Sequence, residues 1–447
     1  MSTITLPAQD LLLAAADDFQ AGLSAAEPSR LAELRRTARE RFGELGIPTT
    51  RLEEWRFTNV APIARAGFLP ATDFEEVDPQ AIARYQYDDC LQVGLINGRF
   101  SDGLSRLEGL PEGVVVCSMA DALELYPEDV NAHLGRHARF EEQAFAALNT
   151  AFLHDGVYVH VPRGVVVEQP INMLFFGKPA VEGDPPAFFP RILIVAEESS
   201  QISLVEHYVS AGEGSYLSVP VTEAVVGPNA VVDHYKVQRE SLDAYQMSTL
   251  AVWQDRDSNF SSHSITWGGA IVRNDVRAIL DGEGCESTFN GLYMVEGTQL
   301  VDNNMRVEHA KPHCDSHELY KGILEGKARA VFTGRIFVHE GAQKTDAKQT
   351  NRNLLISPDA LCNSHPQLEI FADDVRCTHG STVGQLDENA VFYLRSRGIG
   401  EEAAKSLLTY AFASDVVGRV KIDSVRRDLE EFLFRRLPKG DIVRQAV

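Results

Sequence analysis

The stretch Val331-Phe-Thr-Gly-Arg-Ile-Phe-Val338 is rich in β-branched and aromatic residues, which favour a pleated strand. Similar short runs, separated by turns rich in Gly, Asp, Asn and Pro, recur between Gly156 and about Leu394, and no helical pattern interrupts them. The middle of the chain is therefore predicted to be all β. The other runs are Val157–Val161, Arg191–Val195, Ile202–Val205, Val231–Tyr235, Val276–Leu280 and Leu368–Phe371.

So many short strands without crossover helices exclude a doubly wound α/β sheet. A large sandwich, a propeller or a parallel β-solenoid remains. The sequence contains no WD or kelch signature, so we favour a β-solenoid with degenerate coils. The strand pattern alone does not decide between the three architectures.

The two flanks of this region have helical patterns. In the first third, Ser29–Leu45 has leucines and alanines at helical spacing, and residues 118–152 repeat this pattern after a short extended segment near Val93–Asn97. Beyond Gly400, helices are predicted over Glu401–Val417 and Ile422–Leu437. We therefore predict three domains: a mainly helical one over 1–153, a β core over 154–398 and a helical one over 399–447.

The last predicted helix carries an apolar stripe that has to be covered. One interpretation is that the stripe packs against the neighbouring helix. The other is that the two helices form a docking surface for a partner protein. The stripe consists of Ile422, Val425, Leu429, Phe432 and Leu433.

Composition and charge limit the function classes. The chain has 447 residues and a formal net charge of −22, which argues against binding nucleic acid or an anionic membrane. The charge is uneven, since residues 399–447 carry nine Lys and Arg against eight Asp and Glu. We expect a cytoplasmic protein, because the N-terminus lacks a basic signal-peptide region and no run resembles a membrane helix. The six cysteines form no CxxC pair and are expected to be reduced thiols.

The common catalytic and nucleotide motifs are absent. There is no G-x-x-x-x-G-K-[ST], no G-x-G-x-x-G between a strand and a helix, no G-x-S-x-G and no H-E-x-x-H. Acidic pairs such as Asp373-Asp374 leave open a β-helix enzyme that cleaves acidic polysaccharide. Such pairs usually lie at turns, however, and neighbouring strand residues point to opposite faces.

Two groups of residues could bind metal. The segment from His309 to His317 contains His309, His313, Cys314 and His317, and would suit a self-contained metal site. Pro312 argues against a helix that would align these side chains, so a turn with solvated histidines is the preferred interpretation.

The second group is Cys377-Thr-His379, which follows the run Leu368–Phe371. If a strand continues through it, Cys377 and His379 share one face, about 6–7 Å apart along the strand. Two ligands are too few for a closed metal site, and a buried cysteine beside a structural histidine is the simpler interpretation.

Longer motifs from residue 328 onward resemble a known family. The chain reads Ala328-Arg-Ala-Val-Phe-Thr-Gly334, Gly341-Ala-Gln-Lys-Thr-Asp-Ala-Lys-Gln349, Asn353-Leu-Leu, Pro366-Gln-Leu-Glu-Ile-Phe-Ala-Asp-Asp-Val-Arg-Cys-Thr-His-Gly-Ser-Thr-Val-Gly384 and Phe392-Tyr-Leu-Arg-Ser-Arg-Gly398. This block closely resembles the SufB/SufD family of iron–sulfur cluster assembly proteins. Leu52-Glu-Glu-Trp-Arg-Phe-Thr58 is similar to that family's EEWR(Y/F)T element. The form Cys-x-His-Gly-x-Thr-Val-Gly is similar to the SufD branch, although Thr378 and Ser381 replace its usual Ser and Ala.

The resemblance implies a mainly β protein with a right-handed parallel β-helix core between N-terminal and C-terminal helical domains. It implies a non-catalytic scaffold subunit of the SUF system that pairs with SufB through the β-helix, binds the ATPase SufC through the C-terminal helices, and takes part in cluster building and iron acquisition. His379 would be a metal ligand shared with SufB, with Cys377 beside it in the nascent-cluster region. No cofactor would be bound stably by the isolated chain. A transient cluster or iron would be held in the complex, reduced flavin is a further candidate, and the isolated chain could form a homodimer.

Overall fold

A computed structural model describes residues 8–23, 29–72, 77–180 and 182–446. The helices are α1 Ala8–Ala21, α2 Ser29–Leu45, α3 Ala61–Ala66, α4 Pro79–Ala83, α5 Met119–Leu125, α6 Pro127–His133, α7 Ala144–Ala151, α8 Glu388–Ser396, α9 Glu401–Val417, α10 Asp423–Arg436 and α11 Gly440–Ala446, with a 3-10 turn over Glu53–Trp55. Within the described residues, no helix combines the length and the apolar character needed to cross a membrane.

The strands make up most of the middle of the chain. They are β1 Leu69–Pro70, β2 Leu91–Ile96, β3 Arg99–Arg106, β4 Val115–Ser118, β5 Gly156–Val161, β6 Ile171–Gly177, β7 Pro186–Phe188, β8 Arg191–Ala196, β9 Gln201–Ser210, β10 Leu217–Ser218, β11 Val221–Val226, β12 Val231–Arg239, β13 Tyr245–Gln254, β14 Asn259–Thr266, β15 Ile271–Leu280, β16 Glu286–Val295, β17 Leu300–His309, β18 Asp315–Leu324, β19 Arg329–Val338, β20 Asp346–Leu355, β21 Leu361–Ile370 and β22 Arg376–Gly384. Every predicted run lies in or overlaps one of them.

The strands stack into a parallel β-solenoid of about seven turns, which confirms the preferred architecture. One sheet, here sheet A, has the order β21-β19-β17-β15-β13-β11-β8-β5-β4, and the other, sheet B, has the order β22-β20-β18-β16-β14-β12-β9-β6-β2-β3. From β12 onward the chain alternates between the sheets with each strand. Each coil takes about 30 residues: Leu300 pairs with Arg329, and Arg329 pairs with Leu361.

The stretch Val331–Val338 shows how the sequence builds a coil. Because strand side chains alternate between faces, Phe332 and Ile336 point into the interior between the two sheets, where both are fully buried. Gly334 lies between them, and a Cβ there would stand 2.2 Å from Nε2 of Gln349. Any larger residue would require the Gln349 amide to move from this position.

The first third of the chain joins the solenoid. The predicted helix Ser29–Leu45 is present as α2. Strand β2 pairs with β6 and β4 pairs with β5, so residues ahead of the predicted boundary at 153 extend both sheets. The segment Leu52–Thr58 docks on the outside of sheet A, where the Arg273 guanidinium lies 4.0 Å from the centre of the Trp55 ring. Thr58 donates a 2.6 Å hydrogen bond to the buried Asp302 carboxylate.

A buried ion pair holds the loop before α7 against sheet A. Glu223 and Arg191 are fully buried and lie 2.7 Å apart. The Glu223 carboxylate also accepts backbone N–H bonds from Gly135, His137 and Ala138 at 2.8–3.0 Å. Burial opposes ionisation, but Arg191 and these amides outweigh it and lower the pKa of Glu223.

The apolar stripe of α10 is covered by the solenoid itself. Val425, Leu429 and Leu433 are fully buried in a cluster with outward-facing residues of sheet B. Phe432 stacks on Trp267 with ring centres 4.1 Å apart. The same cluster contains Ala413 and Val416 of α9, so the stripe also packs against the neighbouring helix, as one interpretation expected. A partner would have to bind other faces of these helices.

One helix lies within the region that was predicted to be β. Residues 388–396, placed in the β core by the sequence prediction, form α8, whose N-terminus is capped by Asp387 accepting from the Asn389 amide at 2.9 Å. Acidic capping residues of this kind are the usual signal of a helix start.

We predict that Glu223→Ala lowers the free energy of unfolding by about 3–5 kcal/mol, because Arg191 and three backbone amides would be left buried without a partner. The measurement is urea unfolding followed by circular dichroism. Glu198→Ala, which breaks an exposed 3.0 Å pair with Arg163, is the matched control and should change the stability by less than about 1 kcal/mol. Equal effects of the two substitutions would contradict the assigned role of Glu223.

Candidate functional site

The last coil of the solenoid, formed by β21 and β22, is its open end. These strands terminate sheets A and B, and each has a strand partner on one side only, β19 and β20 respectively. A parallel strand presents backbone N–H and C=O groups to both sides, so each terminal strand offers one unpaired row. Most residues of β22 are exposed, and those of β21 are half-buried or exposed. This end can accept strands from another chain.

Large apolar side chains are exposed at the same end. Phe371 is 59% exposed, Leu361 48% and Val383 47%. In the helix that follows β22, Phe392 and Tyr393 are 71% and 57% exposed. Exposed apolar groups around an unpaired sheet edge are typical of a protein–protein interface.

Cys377 and His379 both lie on β22. This strand does not continue the run at Leu368, because a turn over residues 371–375 lies between the two. As predicted, they share one face of their strand. Their register partners are Ala347 and Gln349, whose side chains are buried in the interior of the solenoid. Cys377 is half-buried, and this burial raises the pKa of its thiol. His379 is exposed at the open end.

A column of polar side chains runs inward from His379. Register places His379 beside Gln349, and Gln349 beside Glu318 one strand deeper. Gln349 Nε2 donates a 2.7 Å hydrogen bond to Glu318 Oε2. The other oxygens of both side chains are buried without a hydrogen-bond partner among the described residues. Burial raises the pKa of Glu318 to about 7.

Other interior-facing residues of the last coil are small or carry a thiol group. Ser381 of β22 donates a 2.8 Å hydrogen bond to Ser364 of β21, which joins the two terminal strands across the interior. Cys362, on β21, is half-buried, and desolvation raises the pKa of its thiol to about 12. The thiols of the last coil are thus protonated without a metal or a cationic neighbour.

The segment His309–His317 does not form a metal site. It is the predicted turn, between β17 and β18, but only His313 and His317 are solvated. His309 is fully buried, its Nε2 lies 2.9 Å from Ser316 Oγ, and burial lowers its pKa to about 4. Cys314 is buried as well. No group of three or more His, Cys, Asp or Glu side chains is placed to hold a metal anywhere in the described part of the chain.

The acidic pair Asp373-Asp374 lies at the turn between β21 and β22, as such pairs usually do. Asp374 forms an ion pair with Lys344 and its amide donates to Gln343 at 2.9 Å. This carboxylate has a structural partner in the preceding coil.

The sequence prediction missed Glu318, Gln349, Ser364 and Cys362. The signal that identifies them is the coil length, because residues about 30 positions apart stack in one column. That repeat joins Glu318, Gln349 and His379. Because the coils are degenerate, corresponding residues differ from coil to coil, and the repeat is not apparent in the sequence.

Comparison with known proteins shows two kinds of similarity, to family models and to individual proteins. Residues 180–412 match the SufBD core domain of SUF system FeS cluster assembly, and residues 15–173 match the SufBD protein N-terminal region. The chain is 32% identical to an iron–sulfur cluster assembly SufBD family protein of Synechocystis over 92% of both chains. It is 29% identical to the iron–sulfur cluster assembly protein SufD of Escherichia coli, covering 88% of this chain and 90% of that one, and 27% identical to SufD of Bacillus subtilis, covering 92% and 95%.

Glu318→Gln should change how stability depends on pH. The folded-state pKa of about 7 exceeds the ordinary value of 4.5, so folded wild type holds an extra proton between these values and loses stability as pH rises through that window. The variant lacks this loss. We expect its stability relative to wild type to be higher at pH 8 than at pH 5, by up to about 3 kcal/mol.

Urea unfolding of both proteins at the two pH values measures this difference. Glu325→Gln, at an exposed position in the turn after β18, controls for the removal of one negative charge. An unchanged pH dependence in Glu318→Gln would show that Glu318 is not a proton-binding group of the folded interior.

Proposed function

The chain belongs to the SufBD family of iron–sulfur cluster assembly proteins, and we propose that it is a SufD-type scaffold subunit that pairs with SufB and binds the ATPase SufC. Its role is to hold and pass on a nascent iron–sulfur cluster, or the iron for it, in that complex. The observation that carries this proposal is the open solenoid end, which combines unpaired strand edges with Cys377 and His379.

If two solenoid ends paired, the unpaired backbone groups of both terminal strands would form hydrogen bonds. The exposed rows of β21 and β22 would gain strand partners, and apolar side chains such as Phe371 and Val383 would be buried. A second copy of this chain could offer the same edges, so the isolated protein could form a homodimer. SufB is the proposed partner in the complex because the family contains both types of subunit.

A shared cluster site explains the small number of ligands on this chain. His379 supplies an exposed imidazole and Cys377 a half-buried thiol on the same face of β22. Iron–sulfur clusters and iron are held by thiolate and imidazole ligands. We assign His379 as the ligand contributed to the interface and Cys377 as its neighbour, with the remaining ligands coming from SufB. A role for reduced flavin rests on the family resemblance alone.

The C-terminal helices are suited to transmit a movement to the solenoid. Beyond the Trp267–Phe432 stack, Asp428 of α10 forms an ion pair with Arg239 of β12. Lys421, just before α10, lies 2.9 Å from Asp233 of the same strand. We propose that SufC binds the outer faces of α9 and α10. ATP-driven closure of two SufC subunits then shifts sheet B, and the interface with SufB changes from a closed to an open arrangement.

His379→Ala should leave assembly intact and abolish cluster delivery. The variant is co-expressed with SufB and SufC, purified through a tag on this chain, and tested for activation of an iron–sulfur enzyme in cells that depend on the system. We expect wild-type amounts of both partners and background enzyme activity, because a ligand is lost without disturbing the strand edge.

Thr378→Ala is the control, since Thr378 is the neighbouring exposed residue on the opposite face of β22. It should support full activity. Full activity of His379→Ala would refute the ligand assignment, and absence of SufC from the wild-type preparation would refute the proposed complex.

Val383→Lys should weaken pairing with SufB by at least about tenfold, because a charge would be placed at the edge of β22 that the proposed complex buries. The measurement is titration of purified SufB by light scattering or calorimetry. Leu242→Lys, at a turn position that is 48% exposed, is the matched control and should bind like wild type. Equal binding by all three proteins would place the interface elsewhere.

A further inference from the structure

A second concave site lies on the outside of sheet A, away from the open end. It is a cavity of about 100 Å³ between the loop that precedes α7 and the strands β15 and β17. His137, Arg139 and Glu142 come from the loop, and Arg277, Arg306 and Glu308 from the two strands. The proposed scaffold function uses none of these residues.

The floor of this cavity is part of a column of arginines. Arg277, Arg306 and Arg335 are register partners on β15, β17 and β19. Arg335 lies 3.1 Å from Glu369, and Arg306 lies 2.7 Å from Glu308. Arg277 has a carboxylate only at 4.0 Å, from Glu54. The arginine with the weakest pairing is therefore one that lines the cavity.

Two buried nitrogen atoms of the lining have no hydrogen-bond partner within the described residues, Arg277 Nε and His137 Nε2. Buried polar groups in folded proteins are nearly always hydrogen-bonded, so these two atoms mark positions where a bound ligand could complete a hydrogen bond. Both side chains border the same cavity. A bound group with oxygen atoms would supply the missing acceptor for the guanidinium.

The walls of the cavity are rigid. Glu223, fully buried and paired with Arg191, accepts the backbone amides of Gly135, His137 and Ala138, which fixes the loop on one side. The other side is the hydrogen-bonded ladder of sheet A. A site that is already in place loses little free energy to ordering on binding.

Charge favours an anion. Three arginines, Arg139, Arg277 and Arg306, line the cavity against two carboxylates, Glu142 and Glu308. Glu308 is already engaged by Arg306 and by His339 at 3.5 Å, and Glu142 is exposed. Glu54, 4.0 Å from Arg277, lies outside the lining, so the lining itself carries one more arginine than carboxylate, on a chain whose net charge is −22.

We propose that this cavity binds a small tetrahedral oxoanion of the size of inorganic phosphate. Guanidinium groups match the geometry of phosphate oxygens and donate more than one hydrogen bond to them. Arg277 Nε and the exposed Arg139 contact the oxygens, and His137 closes the side of the site.

The test is calorimetric titration of the full chain with inorganic phosphate and, separately, with sulfate at constant ionic strength. Wild type should show saturable binding of one anion per chain. Arg277→Gln should weaken it by about tenfold or more, because a charged hydrogen-bonding group is removed. Arg139→Gln changes an exposed loop residue and should weaken binding severalfold, which keeps the test valid if Arg277→Gln does not fold.

Arg335→Gln is the matched control. It removes an arginine of the same column that does not line the cavity, and it should bind phosphate like wild type. In wild type, the NMR resonances of the His137 side chain should shift as phosphate is added. No saturable binding up to roughly 10 mM, or equal loss in Arg335→Gln and Arg277→Gln, would overturn the proposal.

Discussion

The hydrogen-bond ladder of a solenoid has to end at both extremities, and in this protein the two ends differ. At the N-terminal end, β3 pairs antiparallel with β2 and β4 pairs antiparallel with β5. The first third of the chain thus supplies the strands that terminate both sheets there. At the other end, β21 and β22 finish the sheets with no further strand among the described residues. The two ends therefore differ: one is covered by strands of the chain itself, and the other has unpaired strand edges.

Stacking of coils also decides which interior-facing side chains are accessible. Register places Cys314 directly after Cys285 in one interior column, and each thiol donates to the Gly282 carbonyl at 3.2 Å. Both are fully buried and serve packing. The same kind of interior position becomes accessible only in the last coil, where Cys377 and His379 lie. Position along the solenoid, and not residue type, separates the fully buried side chains from the accessible ones.

Much of the architecture could be predicted from the sequence. Strand runs such as Val331–Val338 carry enough β-branched and aromatic residues to be read directly, and the helix Glu401–Val417 was predicted with its observed bounds. The packing of α10 on sheet B could not be predicted, because an apolar stripe does not show that a sheet covers it together with the neighbouring helix. Glu318 was equally hidden, since its importance follows from its neighbour 31 residues later, Gln349, and only the register reveals that pairing. His379 was predicted from a motif and not from a periodicity, and its role as a ligand stays a prediction.

On the proposed function, an incomplete ligand set is an advantage for a scaffold. A chain with three or four converging thiolates and imidazoles would bind zinc or iron tightly by itself and would release it slowly. One exposed imidazole and one thiol, whose pKa is raised by burial, bind metal weakly until a partner adds ligands or positive charge. Retention of the cluster then depends on the interface, and so does its release. The connections from α10 to β12 place that interface under the control of whatever protein moves the C-terminal helices.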